Sequence, residues 1–171
     1  MAKTILITGA SSGIGAGMAR EFAKKGYNLA ICARRMERLE ELKNELTSQY
    51  KVEVSARILD VTNYDQVFEV FKAFKADFGT IDRVIVNAGV GQGRRIGKGN
   101  FEINRATVET NFISALAQAE AAVEIFRAQN SGHLVMISSM SAMRGMPKHL
   151  TAYGASKAGV AFLAEGIRAE L

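Results

Sequence analysis

Cysteine, histidine and proline are all scarce in this chain of 171 residues, and each scarcity closes off a class of answers. The one cysteine, Cys32, lies inside the apolar run NLAICA with no second thiol, which excludes a disulfide framework and suits a reducing compartment. It reads as a buried core thiol. The two histidines, His133 and His149, stand far apart, and no Cys/His/Asp cluster has ligand spacing, so no metal is expected. The only proline, Pro147, falls in the link before the last helical stretch, where a missing N–H does no harm. Long hydrophobic runs are also lacking: the apolar pieces are strand-length or helix-length and broken by charges, too short to span a bilayer. The N-terminus runs from the initiator straight into a strand pattern, without a charged leader and apolar core, so a soluble cytoplasmic protein with no membrane partner is expected. A net charge of +5 suits an anionic ligand, yet lysine and arginine are spread along the chain rather than massed, which disfavours nucleic acid as a partner.

What is present is alternation. Hydrophobic residues make up 48% of the chain, enough for one domain with a real core, and residues 1–171 are read as one domain. Short β-branched runs alternate with amphipathic segments five times, the pattern of βα units and a parallel sheet. The strands are expected at 4–8, 28–33, 53–59, 83–87 and 133–138, and the helices at 13–25, 36–49, 64–78, 104–129 and 151–171. The fourth helix carries Ala115, Ala117, Ala119, Ala121 and Ala122, suited to close packing against a neighbouring helix, a second subunit or the core itself. The glycine-rich stretch 89–100, GVGQGRRIGKGN, follows a strand end, where α/β proteins place ligands, and is expected to be a mobile loop bordering a site.

The first strand leads into Thr8-Gly9-Ala10-Ser11-Ser12-Gly13-Ile14-Gly15 and then a helix. In that geometry backbone N–H groups and the positive end of the helix dipole receive a pyrophosphate. Gly9 allows the turn, Gly13 lets the backbone approach the phosphates, and Gly15 lets the helix lie close to the strand. The spacing is G-x-x-x-G-x-G rather than the commoner G-x-G-x-x-G. An acidic side chain at the end of the second strand accepts a ribose 2′-hydroxyl; this chain has Ala33-Arg34-Arg35 there instead. Two guanidiniums suit the 2′-phosphate, so NADP is expected over NAD, with Arg34 the better placed of the pair. Near the C-terminus Tyr153 and Lys157 stand four apart on a helical stretch and so share a face. A cation about 4 Å from a phenol, at an effective dielectric near 20, contributes about 4 kcal/mol toward the phenolate.

Taken in order, these elements resemble the short-chain dehydrogenase/reductase family over essentially the whole length. TGASSGIG (Gly9, Ser11, Ser12, Gly13, Ile14, Gly15) resembles its cofactor turn; Asp60 and Val61, after Leu59, resemble the strand end whose aspartate touches adenine; Asn87-Ala88-Gly89 resembles its NAG element. Asn111 in VETNFISAL, Ser139 in MISSMSA, and Tyr153 with Lys157 resemble its active asparagine, serine and Tyr-x-x-x-Lys. The resemblance implies a Rossmann-type, doubly wound parallel sheet with helices on both faces. It also implies an NADP-dependent oxidoreductase that interconverts a carbonyl and a secondary alcohol.

In that reading Tyr153 is the general acid/base, and Lys157 favours its phenolate and holds the nicotinamide ribose. Ser139 would hydrogen-bond the substrate oxygen, and Asn111 would fix a water beside Lys157. Ser138 is a rival to Ser139, since adjacent strand residues face opposite ways; His149 could touch substrate or be merely solvated. The family habit implies a homodimer or homotetramer. Family members continue past the tyrosine helix with strands that close the substrate pocket. Their absence here implies an exposed edge at the fifth strand, and leaves open an NADP-binding module or truncated remnant without turnover.

Overall fold

The computed structural model describes residues 2–146 and 148–171; the proline of the link, Pro147, lies outside the described residues. Five strands form one sheet: β1 Thr4–Thr8, β2 Asn28–Ala33, β3 Val54–Ile58, β4 Arg83–Val86 and β5 His133–Met136. Their spatial order is β3-β2-β1-β4-β5 and the sheet is parallel, with Ile5 opposite Leu29 on one side and Arg83 on the other. Every residue of β1 is buried, as a central strand covered on both faces requires. The helices that cover the sheet are α1 Gly13–Lys24, α2 Met36–Tyr50, α3 Tyr64–Phe78 and α5 Ser114–Gln129; α4 Phe101–Val108 and α6 Thr151–Glu170 complete the set.

By packing, the chain divides into two compact units: Met1–Ala88 with Ala117–Val135, and Gly89–Leu116 with Met136–Leu171. The core of the first is built from strand residues buried on both faces of the sheet and the apolar stripes of its helices. Ile5, Ile7, Leu29, Ile31, Leu39, Leu46, Phe71 and Phe74 are all essentially inaccessible. Local signals set the ends of these helices. Asn63 caps α3 by accepting the Gln66 N–H at 3.2 Å, and Gly79, at φ +72°, closes it. Cys32 is buried, its Sγ directed at the Ile7 carbonyl, and burial pushes its thiol pKa up, as a core thiol should behave. Of the five alanines on the expected fourth helix, Ala115, Ala119, Ala121 and Ala122 are buried within the chain itself, so core packing accounts for them.

Two expected boundaries move for physical reasons. The single helix expected over 104–129 begins earlier, at Phe101, and is interrupted by a π-helical turn, Glu109–Ile113, centred on the buried Asn111. The fifth strand ends at Met136 rather than at 138, because the next two residues serve α6 instead of the ladder. The Ile137 carbonyl accepts from Lys157 Nζ at 2.8 Å and Ser138 Oγ donates to the Lys157 carbonyl at 2.7 Å. None of the four residues of this edge strand is buried. Among the described residues, no helix is long and apolar enough to cross a membrane.

Candidate functional site

In the first unit, the candidate site lies where the strand order reverses between β1 and β4, the crevice in which open α/β sheets bind ligands. Both strands end in polar residues that bind each other. The buried Thr8 hydroxyl accepts the N–H groups of Asn87 and Ala88, each at 3.1 Å, and Asn87 Nδ2 donates to the Thr8 carbonyl at 2.9 Å. That brace fixes the start of the glycine turn. Gly9 adopts φ +67°, and a β-carbon there would sit 2.9 Å from Ala88 Cα. At Gly15 a β-carbon would strike the Gly9 carbonyl and lie 2.8 Å from Asn87 Nδ2, which is why helix and strand can close up only on glycine. Gly13, at φ +56°, differs: a β-carbon there would meet nothing within 4 Å.

Helix α1 has Ser12 at its N-cap without a side-chain cap bond, and no acid in its first turn. Its leading N–H groups are thus open to an anion. Ser11 and Ser12 instead receive Arg35, whose Nη2 donates to their hydroxyls at 3.0 Å and 2.7 Å. The guanidinium lying on the turn is therefore Arg35; Arg34 acts on Asp60. Burial pushes the Asp60 carboxyl pKa up, but the N–H and hydroxyl of Thr62, both donating to Oδ1, together with the Arg34 charge, outweigh that and hold it below the usual range. Asp60 thus closes a local turn, while Asn63 caps the following helix. Ile14 is exposed and Val61 is buried.

The second unit gathers Gly89, Asn111, Ser139, Tyr153 and Lys157. Lys157 is only 6% exposed and, among the described residues, meets no carboxylate; burial pushes its pKa below the usual lysine range. Its ammonium spends one N–H on the Ile137 carbonyl. A β-carbon on Gly89 would lie 3.4 Å from Lys157 Nζ and 3.0 Å from Asn111 Oδ1, so the backbone passes close to both. Ser138 is committed to the Lys157 carbonyl, whereas Ser139 caps the 3-10 turn Met140–Ala142 and faces Ser141, their hydroxyl oxygens 2.8 Å apart.

The Asn111 side chain itself is spent on protein partners. Its Oδ1 accepts the Val90 N–H at 2.7 Å, and its Nδ2 donates to the Val90 carbonyl at 2.9 Å and to Ser156 Oγ at 3.2 Å. One clamp of the same kind stands two turns earlier: Asn104 accepts the Arg94 N–H at 2.8 Å and donates to the Arg94 carbonyl at 3.2 Å. Between them the single Thr107 hydroxyl proton is shared between the Gln92 carbonyl at 3.2 Å and the Ile103 carbonyl of its own helix at 3.0 Å. Alternate loop residues 90, 92 and 94 are thus tied to helix residues 111, 107 and 104. The first half of the expected mobile loop is pinned. Sequence reasoning missed Asn104, Thr107, Ser141 and Ser156; the signal for the first two was polar residues at i, i+3 and i+7 ahead of Asn111 on one helix face.

A cavity of about 510 Å³ in this unit is lined by Ile96, Phe101, Val108, Ile113 and Ala152 with Arg95 and Arg105 among its polar groups. Neither Ser139, Tyr153 nor Lys157 lines it.

Comparison with known proteins bears on the family and the fold. The family model for short chain dehydrogenases matches residues 3–171. An uncharacterized oxidoreductase of Mycobacterium tuberculosis is 53% identical over 167 residues, covering 97% of this chain and 66% of that protein. The chain thus spans about 66% of the length of this relative and of a second oxidoreductase from Myxococcus xanthus, which is 36% identical over 99% of this chain. Among solved structures, an NADPH-dependent 3-quinuclidinone reductase from Rhodotorula rubra superposes with a TM-score of 0.92 at 31% identity, covering 98% of this chain and 64% of that one. Sequence and fold together place the chain in the short-chain dehydrogenase family of oxidoreductases.

Proposed function

We propose that the protein is an NADP-dependent oxidoreductase acting on a carbonyl or secondary alcohol, with Tyr153 as the acid/base. The observation that carries this reading is the Lys157 ammonium: buried, without a carboxylate partner among the described residues, and one helical turn from a phenol. A buried charge of that kind is costly unless it is used, and perturbed cations gather at functional sites. With one N–H on Ile137, two remain for a phenolic oxygen and a ribose hydroxyl.

The residues present fit a dinucleotide. The uncapped N-terminus of α1, the open space at Gly13 and the Arg35 guanidinium on Ser11 and Ser12 suit a pyrophosphate and an added phosphate. Asp60, Asn87, Ala88 and Gly89 complete the proposed contacts, and no carboxylate stands at the end of β2 to favour NAD. When bound, the cofactor supplies the hydride to the carbonyl carbon. Tyr153 gives its proton to the carbonyl oxygen, or removes it in the reverse direction; Lys157 favours the phenolate; and Ser139 donates to the oxygen as charge grows on it. Asn111 holds Val90 and Ser156, and through them the loop and the helix that carry these groups. The substrate is a small carbonyl or alcohol, and the assembly is a homodimer or homotetramer.

Titration with NADPH and NADH, followed by NADPH consumption on a panel of ketones, aldehydes and oxo-esters, tests the reading. Preferential NADPH binding with turnover on at least one carbonyl is expected. Binding without turnover on any of them would favour a cofactor-binding module instead.

A further inference from the structure

We infer that Ser141 is a positioning residue for the proposed reaction: its hydroxyl donates to Ser139 Oγ and so leaves the Ser139 proton to the substrate oxygen. The inference rests on the proposed role of Ser139. A serine hydroxyl has one proton to give and two lone pairs. Ser139 Oγ already accepts the Ser141 N–H at 3.2 Å and lies 2.8 Å from Ser141 Oγ, within the range of an O–H···O bond. If Ser141 donates there too, both lone pairs of Ser139 are filled and its proton can only point outward. If the bond ran the other way, that proton would be spent on Ser141. A carbonyl oxygen only accepts, so it selects the first arrangement, and two bonds received at Oγ polarise the O–H that is given.

One further contact ties this pair to the helix that carries the tyrosine. Gly154, the residue after Tyr153, sits where a β-carbon would lie 3.0 Å from the Ser141 carbonyl oxygen, so the 3-10 turn rests directly on the first turn of α6. Ser138 cannot substitute, because its proton is committed to the Lys157 carbonyl at 2.7 Å.

The test compares wild type, Ser139→Ala, Ser141→Ala, Ser141→Thr and the double alanine variant by NADPH consumption on the carbonyl panel, with thermal melting to confirm folding. Ser141→Ala keeps the backbone N–H that Ser139 caps, so the turn persists and the hydroxyl alone is removed. We expect kcat to fall about 3- to 10-fold, the size of one neutral hydrogen bond, with KM within about twofold. Ser141→Thr should restore the rate, and Ser141→Ala should add nothing to Ser139→Ala. A purely structural Ser141 would give additive losses. Unchanged kcat in Ser141→Ala beside a slow Ser139→Ala, or additive losses, overturns the inference and leaves Ser139 in place. Wild-type rates in Ser139→Ala, or no turnover by wild type, remove the parent reading and this inference with it.

Discussion

The residues with least side chain carry the sharpest consequences. Gly15 faces the Gly9 carbonyl and the Asn87 amide at distances a methyl group cannot share, whereas Gly13 faces open space. Gly15→Ala should therefore cost about 1–3 kcal/mol in urea unfolding, the usual size of overpacking, and weaken NADPH binding as the turn opens. At the second strand end, Arg35 is the guanidinium placed on the serines of the turn. Arg35→Ala is expected to weaken NADPH about tenfold or more while leaving NADH within about threefold, measured by cofactor fluorescence. An equal loss for both cofactors would contradict a contact with the 2′-phosphate. The glycine roles were legible in the sequence because the turn is local. The partners of Asn111 were not: Val90 and Ser156 lie 21 and 45 residues away, and only the folded chain brings them together.

At the scale of elements, the helix containing Asn104, Thr107 and Asn111 works as a comb that holds residues 90, 92 and 94 by their backbone. A stretch rich in glycine reads as mobile because glycine keeps the unfolded backbone free. Here side chains from another element satisfy its N–H and C=O groups, which no loop composition reveals. Asn104→Ala removes both bonds to Arg94 and should weaken this hold by about 1–3 kcal/mol. Hydrogen exchange of the Arg94 amide should accelerate accordingly; unchanged protection there would contradict the clamp. The π turn was likewise illegible, since one helical stretch was expected to run unbroken from 104 to 129 across it. The strands fared better: apolar runs bounded by turn residues located all five, with errors of one residue at the ends of β3 and β4 and of two at β5, where the Lys157 side chain of α6 takes the Ile137 carbonyl.

For the molecule as a whole, several carboxyls titrate lower in the folded chain than in the unfolded one. Burial pushes the Asp77 carboxyl pKa up, but Arg57 Nη2 on both its oxygens and the Ser55 hydroxyl outweigh this and hold it below the usual range; the Arg20 guanidinium does the same for Glu45. The unfolded chain therefore takes up more protons on acidification. Such groups stabilise the fold fully above the ordinary carboxyl range near 4, and that contribution drains away as the pH falls through their lower folded values. Urea midpoints should decline below about pH 4, and Asp77→Asn should decline less steeply; parallel curves for the two proteins would contradict this assignment. The central claim is that the phenol of Tyr153 moves the proton during hydride transfer. Its most direct test is the comparison of wild type with Tyr153→Phe, which keeps the ring and removes only the hydroxyl. The account predicts that the two bind NADPH alike while the variant reduces a carbonyl about a hundredfold or more slowly. Equal rates of NADPH oxidation by the two proteins on the same carbonyl would contradict it.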